Sequence, residues 1–277
     1  MTFFRKSIIF AVGMSKDIRT YFYRLFSWLS HRLSAGNTGG YGVHSPMLFE
    51  LTRNVMTDRN VYYCFSSIEQ QRRFLLSSSE SVYVDDYGTG VSGVRRVADI
   101  AVSSLKSPKE AQLLMRIAVM KHAKEIVELG TSLGITTAYL ASVGSDVRVT
   151  TYEAAKEVIR QAEKVWSRLK LENISVVQGN ITESLVSYEP KGQFVDMAFI
   201  DANHTGDATL NYFNTLAHFA GADSVYVIDD IHSSPDMESA WHTIQERNDV
   251  TATIDVYSMG LVFFDKNLEK RGYKVRL

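Results

Sequence analysis

Residues 127–137 and the carboxylate of Glu153 form the feature that most constrains the fold of this chain. The segment reads Val-Glu-Leu-Gly-Thr-Ser-Leu-Gly-Ile-Thr-Thr. An apolar run before a turn is typical of a central parallel strand, and Gly130 and Gly134 let the backbone turn sharply and approach a ligand closely. The residues after the turn indicate a helix whose free N–H groups point back at it. The segment therefore predicts a strand, a turn, a helix and a second strand ending in Glu153, an arrangement that suits a ligand with a ribose and a charged group.

Strands and helices alternate regularly after residue 107. Such alternation predicts a parallel sheet with right-handed crossovers. In chain order, the predicted elements are helix 108–122, strand 125–129, helix 134–143, strand 147–152, helix 155–170, strand 174–178, helix 182–187, strand 194–200, helix 207–219, strand 223–228, helix 236–247 and strands 252–257 and 260–264. The last two strands are so close in sequence that they must be antiparallel neighbours.

The predicted fold class is therefore α/β, with a Rossmann-like doubly wound, mostly parallel seven-stranded sheet and an antiparallel last strand. Residues 107–277 would form this domain, and residues 1–106 a mainly helical N-terminal extension that covers the active site or forms a dimer.

Acidic and polar side chains stand at the predicted carboxyl ends of the strands. They are Glu128, Glu153, Asn180, Asp201 and the pair Asp229-Asp230. Ligands of open α/β sheets bind beyond these ends, so the sequence places a binding site there.

Residues 107–265 resemble class I S-adenosylmethionine-dependent methyltransferases, and within them the small O-methyltransferases similar to catechol O-methyltransferase. The run Glu-Leu-Gly-Thr-Ser-Leu-Gly at 128–134 resembles the first motif of that group, and Ser-Pro-Lys-Glu-Ala-Gln-Leu-Leu at 107–114 resembles its lead-in helix. Asp-Met-Ala-Phe-Ile-Asp-Ala-Asn-His at 196–204 and Val-Tyr-Val-Ile-Asp-Asp at 225–230 resemble two later motifs.

The resemblance implies roles for individual residues. Those implied to bind S-adenosyl-L-methionine are Glu128, Gly130, Thr131, Gly134, Thr136, Glu153, Asn180, Ile181 and Asp201. In metal-dependent members of the group, the positions of Asp201, Asp229 and Asp230 hold a divalent cation such as Mg²⁺, and three carboxylates would suit a hard ion.

Two departures from the family pattern affect the predicted chemistry. Asp230 stands where the family has asparagine, and His204 stands where it has the lysine that takes the substrate proton. An imidazole can accept that proton, so His204 is a candidate catalytic residue beside Asp201, and His232 is a second candidate base. A structural alternative has Asp229 and Asp230 capping the next helix, with His232 on its surface.

The amino-acid composition limits which binding partners and which cellular location are expected. The 277 residues include 30 Lys and Arg against 31 Asp and Glu, which argues against a nucleic-acid binder. The resemblance to small O-methyltransferases implies O-methylation of a small-molecule acceptor by in-line methyl transfer. Cys64 is the single cysteine, so the chain has no intramolecular disulfide, and a cytoplasmic location fits best.

The N-terminal residues allow several interpretations. The apolar run before Met14 resembles a secretion signal but is too short to span a bilayer, so no integral membrane span is predicted, and Met14 could equally be the biological start. Residues 15–33 have the spacing of an amphipathic helix. It could lie on a membrane, but docking on the chain itself or on a second subunit is favoured, which allows a homodimer.

Two other function classes stay open. Residues 88–93 read Gly-Thr-Gly-Val-Ser-Gly, so a nicotinamide-dependent oxidoreductase could use Gly88, Gly90 and Gly93, although Pro108 interrupts the pattern before a second strand. A catalytically weak or inactive binding protein with the methyltransferase fold is the other alternative. The serine-rich residues 66–79 are predicted to form a mobile connection.

Overall fold

The computed structural model describes residues 16–84 and 92–277. In this part of the chain the α-helices are α1 Lys16–Ser34, α2 Pro46–Glu50, α3 Phe65–Leu76, α4 Val97–Ser104, α5 Pro108–Met120, α6 Ile135–Ala141, α7 Lys156–Leu169, α8 Ile181–Ser184, α9 Gly206–Ala217 and α10 Pro235–Glu246. The strands are β1 Ser81–Val84, β2 Gly93–Arg96, β3 Glu125–Leu129, β4 Arg148–Glu153, β5 Ile174–Gln178, β6 Val195–Ile200, β7 Ala220–Asp229, β8 Ala252–Asp255, β9 Met259–Phe263 and β10 Arg271–Lys274.

One large sheet organises the described residues. Its order is β10-β8-β9-β7-β6-β3-β4-β5, and β9 runs antiparallel to both of its neighbours while the remaining pairs are parallel. Strand β3 is buried along its whole length because helices cover both faces of the sheet. The predicted fold class, a Rossmann-like and mostly parallel sheet with a helical N-terminal region, is confirmed.

The number of strands differs from the prediction. The large sheet has eight strands rather than seven, because Arg271–Lys274 adds β10 parallel to β8 at one edge. The predicted antiparallel strand lies between β7 and β8, so it is not the edge of the sheet. A strand of four residues with only Tyr273 buried has too little apolar pattern to be recognised in the sequence.

The prediction of a mobile connection over residues 66–79 is wrong. Phe65–Leu76 is a helix, and Phe65, Ile68 and Leu75 are buried on one of its faces. Apolar residues at this helical spacing hold the segment in the core despite its serines and charged residues.

The glycine-rich segment before residue 94 does not have the context of a dinucleotide site. Gly88 and Gly90 lie outside the described residues, as do Met14 and the apolar run before it. Gly93 begins β2, which pairs antiparallel with β1 in a separate two-stranded sheet. A βαβ unit needs parallel strands, so the described part of this segment does not support a nicotinamide site.

Helix α1 is attached to the opposite end of the chain. His31 binds Asp255 in β8, with 3.0 Å between Nε2 and Oδ1. After the helix, the Asn37 N–H donates to the carbonyl of Lys274 in β10 at 3.1 Å. The N-terminal segment thus covers the outer edge of the large sheet, while the domain boundary at residues 106–107 stays a prediction. Among the described helices, none has both the length and the apolar character required to cross a lipid bilayer.

Candidate active site

A cleft of about 500 Å³ opens at the carboxyl edge of the large sheet. Its volume is in the range of small-molecule sites. Of the residues predicted to bind a cofactor, all except Glu128 and Gly134 line it, namely Gly130, Thr131, Thr136, Glu153, Asn180, Ile181 and Asp201. The structure therefore brings most of the predicted cofactor residues to one cleft.

Gly130 is required by the close approach of two strands. Its φ is +98°, and a Cβ at this position would lie 2.0 Å from the carbonyl oxygen of Asp201. The same contact brings the turn after β3 against the end of β6, where Asp201 enters the cleft. The glycine predicted for ligand approach thus also allows two parts of the site to meet.

Glu128 lies beneath the cleft. Its carboxylate is fully buried and accepts hydrogen bonds from the hydroxyls of Thr137, at 2.5 Å, and Thr151, at 2.7 Å. Burial raises the pKa of Glu128 to about 7, although both hydroxyls oppose the shift. The residue is therefore placed to hold β3, β4 and α6 together, and direct cofactor contact stays a prediction.

Gly134 is also behind the cleft. It has a φ of +75°, its carbonyl accepts a hydrogen bond from Trp166 Nε1 at 2.8 Å, and a Cβ would lie 2.6 Å from that nitrogen. The residue therefore lets α6 begin against α7.

Glu153 lies at the end of β4, where the sequence places it. Its carboxylate accepts backbone N–H groups from Ser132, Ala154 and Ala155 at 2.9–3.0 Å. These bonds hold the two turns beside the cleft in a fixed relation. Asn180 lines the cleft beyond the neighbouring strand and caps α8 by accepting the Thr182 N–H at 3.0 Å.

Asp229, which is buried, and Asp201, which is partly buried, form an acidic pair at the other end of the cleft. Burial raises the pKa of both Asp201 and Asp229. The negative charge of a neighbouring carboxylate raises each pKa further, and the pKa of Asp229 lies well above its ordinary value. Lys106 opposes both shifts. Its ammonium binds Asp229 Oδ2 and lies 3.9 Å from Asp201 Oδ2. Burial alone would lower the pKa of Lys106, but these carboxylates raise it above its ordinary value.

His204 lies beside this pair and is about half exposed. Its Nε2 is 3.6 Å from Asp201 Oδ1, and its Nδ1 is 3.8 Å from Asp230 Oδ2. The φ values of His204 (+45°) and Asp230 (+54°) place both residues in the left-handed region, where strain is typical of functional sites. An imidazole at the cleft between two carboxylates can accept a proton from a bound ligand.

His232, the second candidate base, lies outside the cleft. It is buried, its Nε2 is 2.9 Å from Asp255 Oδ2, and its Nδ1 is 3.3 Å from Glu238 Oε1. Its ring stacks on that of Tyr257, with 5.3 Å between centroids. The position makes His232 part of the docking site of α1, so the structure does not bring it to the predicted chemistry.

The predicted metal site offers oxygen and nitrogen atoms that suit a metal ion, but a positively charged side chain already occupies it. Ligand atoms of Asp201, His204 and Asp229 lie within 4.8 Å of one another, and Asp229 Oδ1 has no hydrogen-bond partner among the described residues. However, the ammonium of Lys106 already binds the other oxygen of Asp229. A divalent ion there would face a fixed positive charge, so these residues do not fit the three-carboxylate site that the resemblance implies.

Sequence reasoning missed several side chains of the cleft, among them Lys106, Ser104 and Ser132. Lys106 directly precedes the Ser107-Pro108 start of α5 and lines the cleft, but no local pattern in the sequence marks it as a site residue. Ser132 bonds to Ser104 with 2.7 Å between the hydroxyl oxygens. This contact joins segments that are far apart in the chain, so no local pattern reveals it.

Comparison with known proteins supports the description of the fold. Residues 127–231 match the model of a family described as "Methyltransferase domain". No curated protein matches the chain. The predicted resemblance to small class I methyltransferases is thereby confirmed at the level of this domain and its fold.

Several solved structures have the same fold. The O-methyltransferase TomG of Streptomyces achromogenes, involved in tomaymycin synthesis and crystallised with SAM, is 19% identical, with 74% of this chain and 91% of that chain covered and a TM-score of 0.53. The O-methyltransferase of Bacillus cereus in complex with SAH is 18% identical, with 75% and 93% covered and a TM-score of 0.52. A methyltransferase of Geobacter sulfurreducens is 13% identical, with 75% and 93% covered and a TM-score of 0.53.

Proposed function

Because residues 127–231 match a methyltransferase domain, we propose that the chain is an S-adenosylmethionine-dependent methyltransferase that methylates an oxygen of a small molecule. The observation that carries the proposal is the cleft, which gathers Gly130, Glu153 and Asp201 from the ends of three adjacent strands. S-adenosylmethionine would supply a methyl group on a sulfonium, which an acceptor oxygen takes by in-line displacement.

The residues divide between the two ends of the cleft. At one end, Glu153 and Asn180 offer oxygen acceptors to a ribose and an amide to an adenine, and Gly130 and Thr131 form the turn beside them. At the other end, Asp201, Lys106 and His204 surround the position proposed for the acceptor. Positioning of the two reactants within the cleft supplies much of the acceleration in such a displacement.

His204 is proposed as the base. A hydroxyl acceptor must lose its proton as it attacks, and the imidazole, which lines the cleft between the carboxylates of Asp201 and Asp230, can accept that proton. We assign this role to His204 and not to His232, because His232 is buried against Asp255 and is not among the residues that line the cleft.

A fold that binds the cofactor without turnover is the second candidate. It is favoured by the departures from the family pattern at His204 and Asp230. The small-molecule acceptor, the cytoplasmic location and the homodimer stay predictions from the sequence.

Calorimetric titration with S-adenosylmethionine and S-adenosylhomocysteine tests the proposal. We expect binding by the wild-type chain and a loss of at least about tenfold in affinity in Glu153→Ala, because a ribose would lose its charged acceptor. Glu163→Ala, at an exposed position on α7, is the control and should bind normally. Absence of binding in the wild-type chain at millimolar ligand contradicts the proposal, whereas binding without product across an acceptor panel favours the second candidate.

A further inference from the structure

Lys106 lies where the acidic cluster would otherwise hold a cation. Its ammonium binds Asp229 Oδ2, lies 3.9 Å from Asp201 Oδ2 and lines the same cleft as His204. The side chain is 14% exposed, so the charge is largely removed from bulk water. An ion pair with this degree of burial is screened far less than a surface pair.

The backbone of Lys106 is held from two directions. Its carbonyl accepts a hydrogen bond from Arg72 Nη1 at 2.6 Å, and Arg72 is itself fixed by Glu69, with 2.9 Å between Nε and Oε2. Ser107, the next residue, caps α5 in a reciprocal pair of hydrogen bonds with Glu110. The lysine therefore extends from a fixed point and is not a mobile surface side chain.

The location of the ammonium also determines what else can bind. A divalent ion coordinated by Asp201 and Asp229 would share their oxygens with a positive charge already in contact with one of them. Coulomb repulsion at such distances is strong in a partly buried site. Either Lys106 leaves the cluster or the ion is excluded, and the backbone contacts favour the lysine.

We propose that the ammonium of Lys106 takes the place of the divalent cation in this cleft and binds the acceptor oxygen itself, so that the site works without metal. The inference rests on the proposed methyl transfer. An ammonium offers several separate N–H donors to oxygens, whereas an ion coordinates two neighbouring oxygens of one ligand at a fixed distance. The acceptor class is therefore a molecule that offers a single hydroxyl, and a vicinal pair of hydroxyls is not required.

Titration with Mn²⁺ tests this assignment without an acceptor. Electron paramagnetic resonance of free Mn²⁺ would be followed on adding the wild-type chain, Lys106→Met and Lys109→Met, each with and without S-adenosylhomocysteine. Lys106→Met removes the charge and keeps a long side chain, and Lys109→Met removes an exposed lysine from the same helix start. We expect Lys106→Met to bind Mn²⁺ at least about tenfold more tightly than the wild-type chain and Lys109→Met.

Each result of these titrations either supports or overturns the proposal. Mn²⁺ binding by the wild-type chain that disappears in Asp229→Asn overturns the proposal, and so does a folded Lys106→Met that gains no ion. If Lys106→Met does not fold, the wild-type and Asp229→Asn titrations decide alone, since absence of wild-type binding supports the proposal. Calorimetric titration of the same proteins with S-adenosylhomocysteine measures cofactor binding, and it therefore tests the proposed function separately.

Discussion

The carbonyl of Asp201 lies against the α-carbon of Gly130, so that even one methyl group at residue 130 would lie 2.0 Å from the carbonyl oxygen. This contact joins the turn after β3 to the acidic end of the cleft. The cofactor end and the acceptor end of the site are therefore fixed relative to each other by backbone, not by side chains that could adjust.

Gly130→Ala is expected to lose cofactor binding and to be strongly destabilised. The new methyl group cannot fit beside a backbone carbonyl, and the φ of +98° is itself unfavourable for alanine. Thermal unfolding with and without S-adenosylhomocysteine measures both effects. Gly93→Ala is the control, because a Cβ there meets nothing within 4 Å. Equal melting temperatures for Gly130→Ala and Gly93→Ala would contradict the contact.

Glu128→Gln is expected to change the pH dependence of stability. Burial raises the pKa of Glu128 to about 7, so the folded state keeps a proton that the unfolded state releases near its ordinary pKa. The free energy of unfolding should therefore fall as the pH rises from 5 to 8, by on the order of 3 kcal/mol for this group. Glutamine removes the titration, so urea denaturation of the variant should show a flatter profile.

The control for that experiment is Glu163→Gln, which changes an exposed carboxylate. It should keep the wild-type pH profile. Parallel profiles for the wild-type chain and Glu128→Gln would show that the buried carboxylate does not control this dependence.

Asp255→Asn is expected to loosen the attachment of α1. Burial alone would raise the pKa of Asp255, but hydrogen bonds from His232 and His31 hold it well below its usual range. The carboxylate thus stabilises the fold above its ordinary pKa, and this contribution declines as the pH falls below about 4 toward the lowered pKa. We expect a loss of about 3 kcal/mol at pH 7 on denaturation, since two buried imidazoles lose their charged partner.

Asp223→Asn is the matched change at a side chain that is 99% exposed, and it should alter stability little. If Asp255→Asn were as stable as Asp223→Asn at pH 7, the histidine–carboxylate cluster would not hold the helix.

His204→Ala is expected to reduce methyl transfer and leave cofactor affinity unchanged. Loss of a general base lowers rates by ~10²–10⁴-fold, while the proposed ribose and adenine contacts, Glu153 and Asn180, follow other strands than His204 does. Release of S-adenosylhomocysteine, with any acceptor that the wild-type chain converts, gives the rate. His242→Ala alters an exposed histidine and should retain full activity. A His204→Ala enzyme with unchanged turnover would remove this residue from the mechanism.

The sequence predicted the parts of the site that depend on strand ends. Asp201 directly follows the apolar run that ends β6, Glu153 is the last residue of β4, and the carboxyl ends of parallel strands must share one edge of a sheet. Their proximity was therefore a consequence of topology. The glycine at 130 followed from the same logic, although its closest neighbour is the Asp201 backbone.

The features that the sequence did not reveal depend on tertiary contacts. Lys106 and Asp229 meet through the path of the N-terminal segment, which no local periodicity encodes. His232 follows Asp230 by two residues, yet the turn directs it to Asp255 and away from the cleft. Helix α3 was hidden by its serines and charged residues, because burial of Phe65, Ile68 and Leu75 outweighs a polar composition.

The backbone bond between Asn37 and Lys274 has a consequence for any attempt to shorten the protein. A fragment beginning at residue 107 would retain the cleft residues of the strands but expose the hydrogen-bonding groups of β10, a ready template for pairing with another molecule. It would also lack Lys106. Truncation would therefore yield a self-associating species with an altered acidic cluster, and not a minimal enzyme.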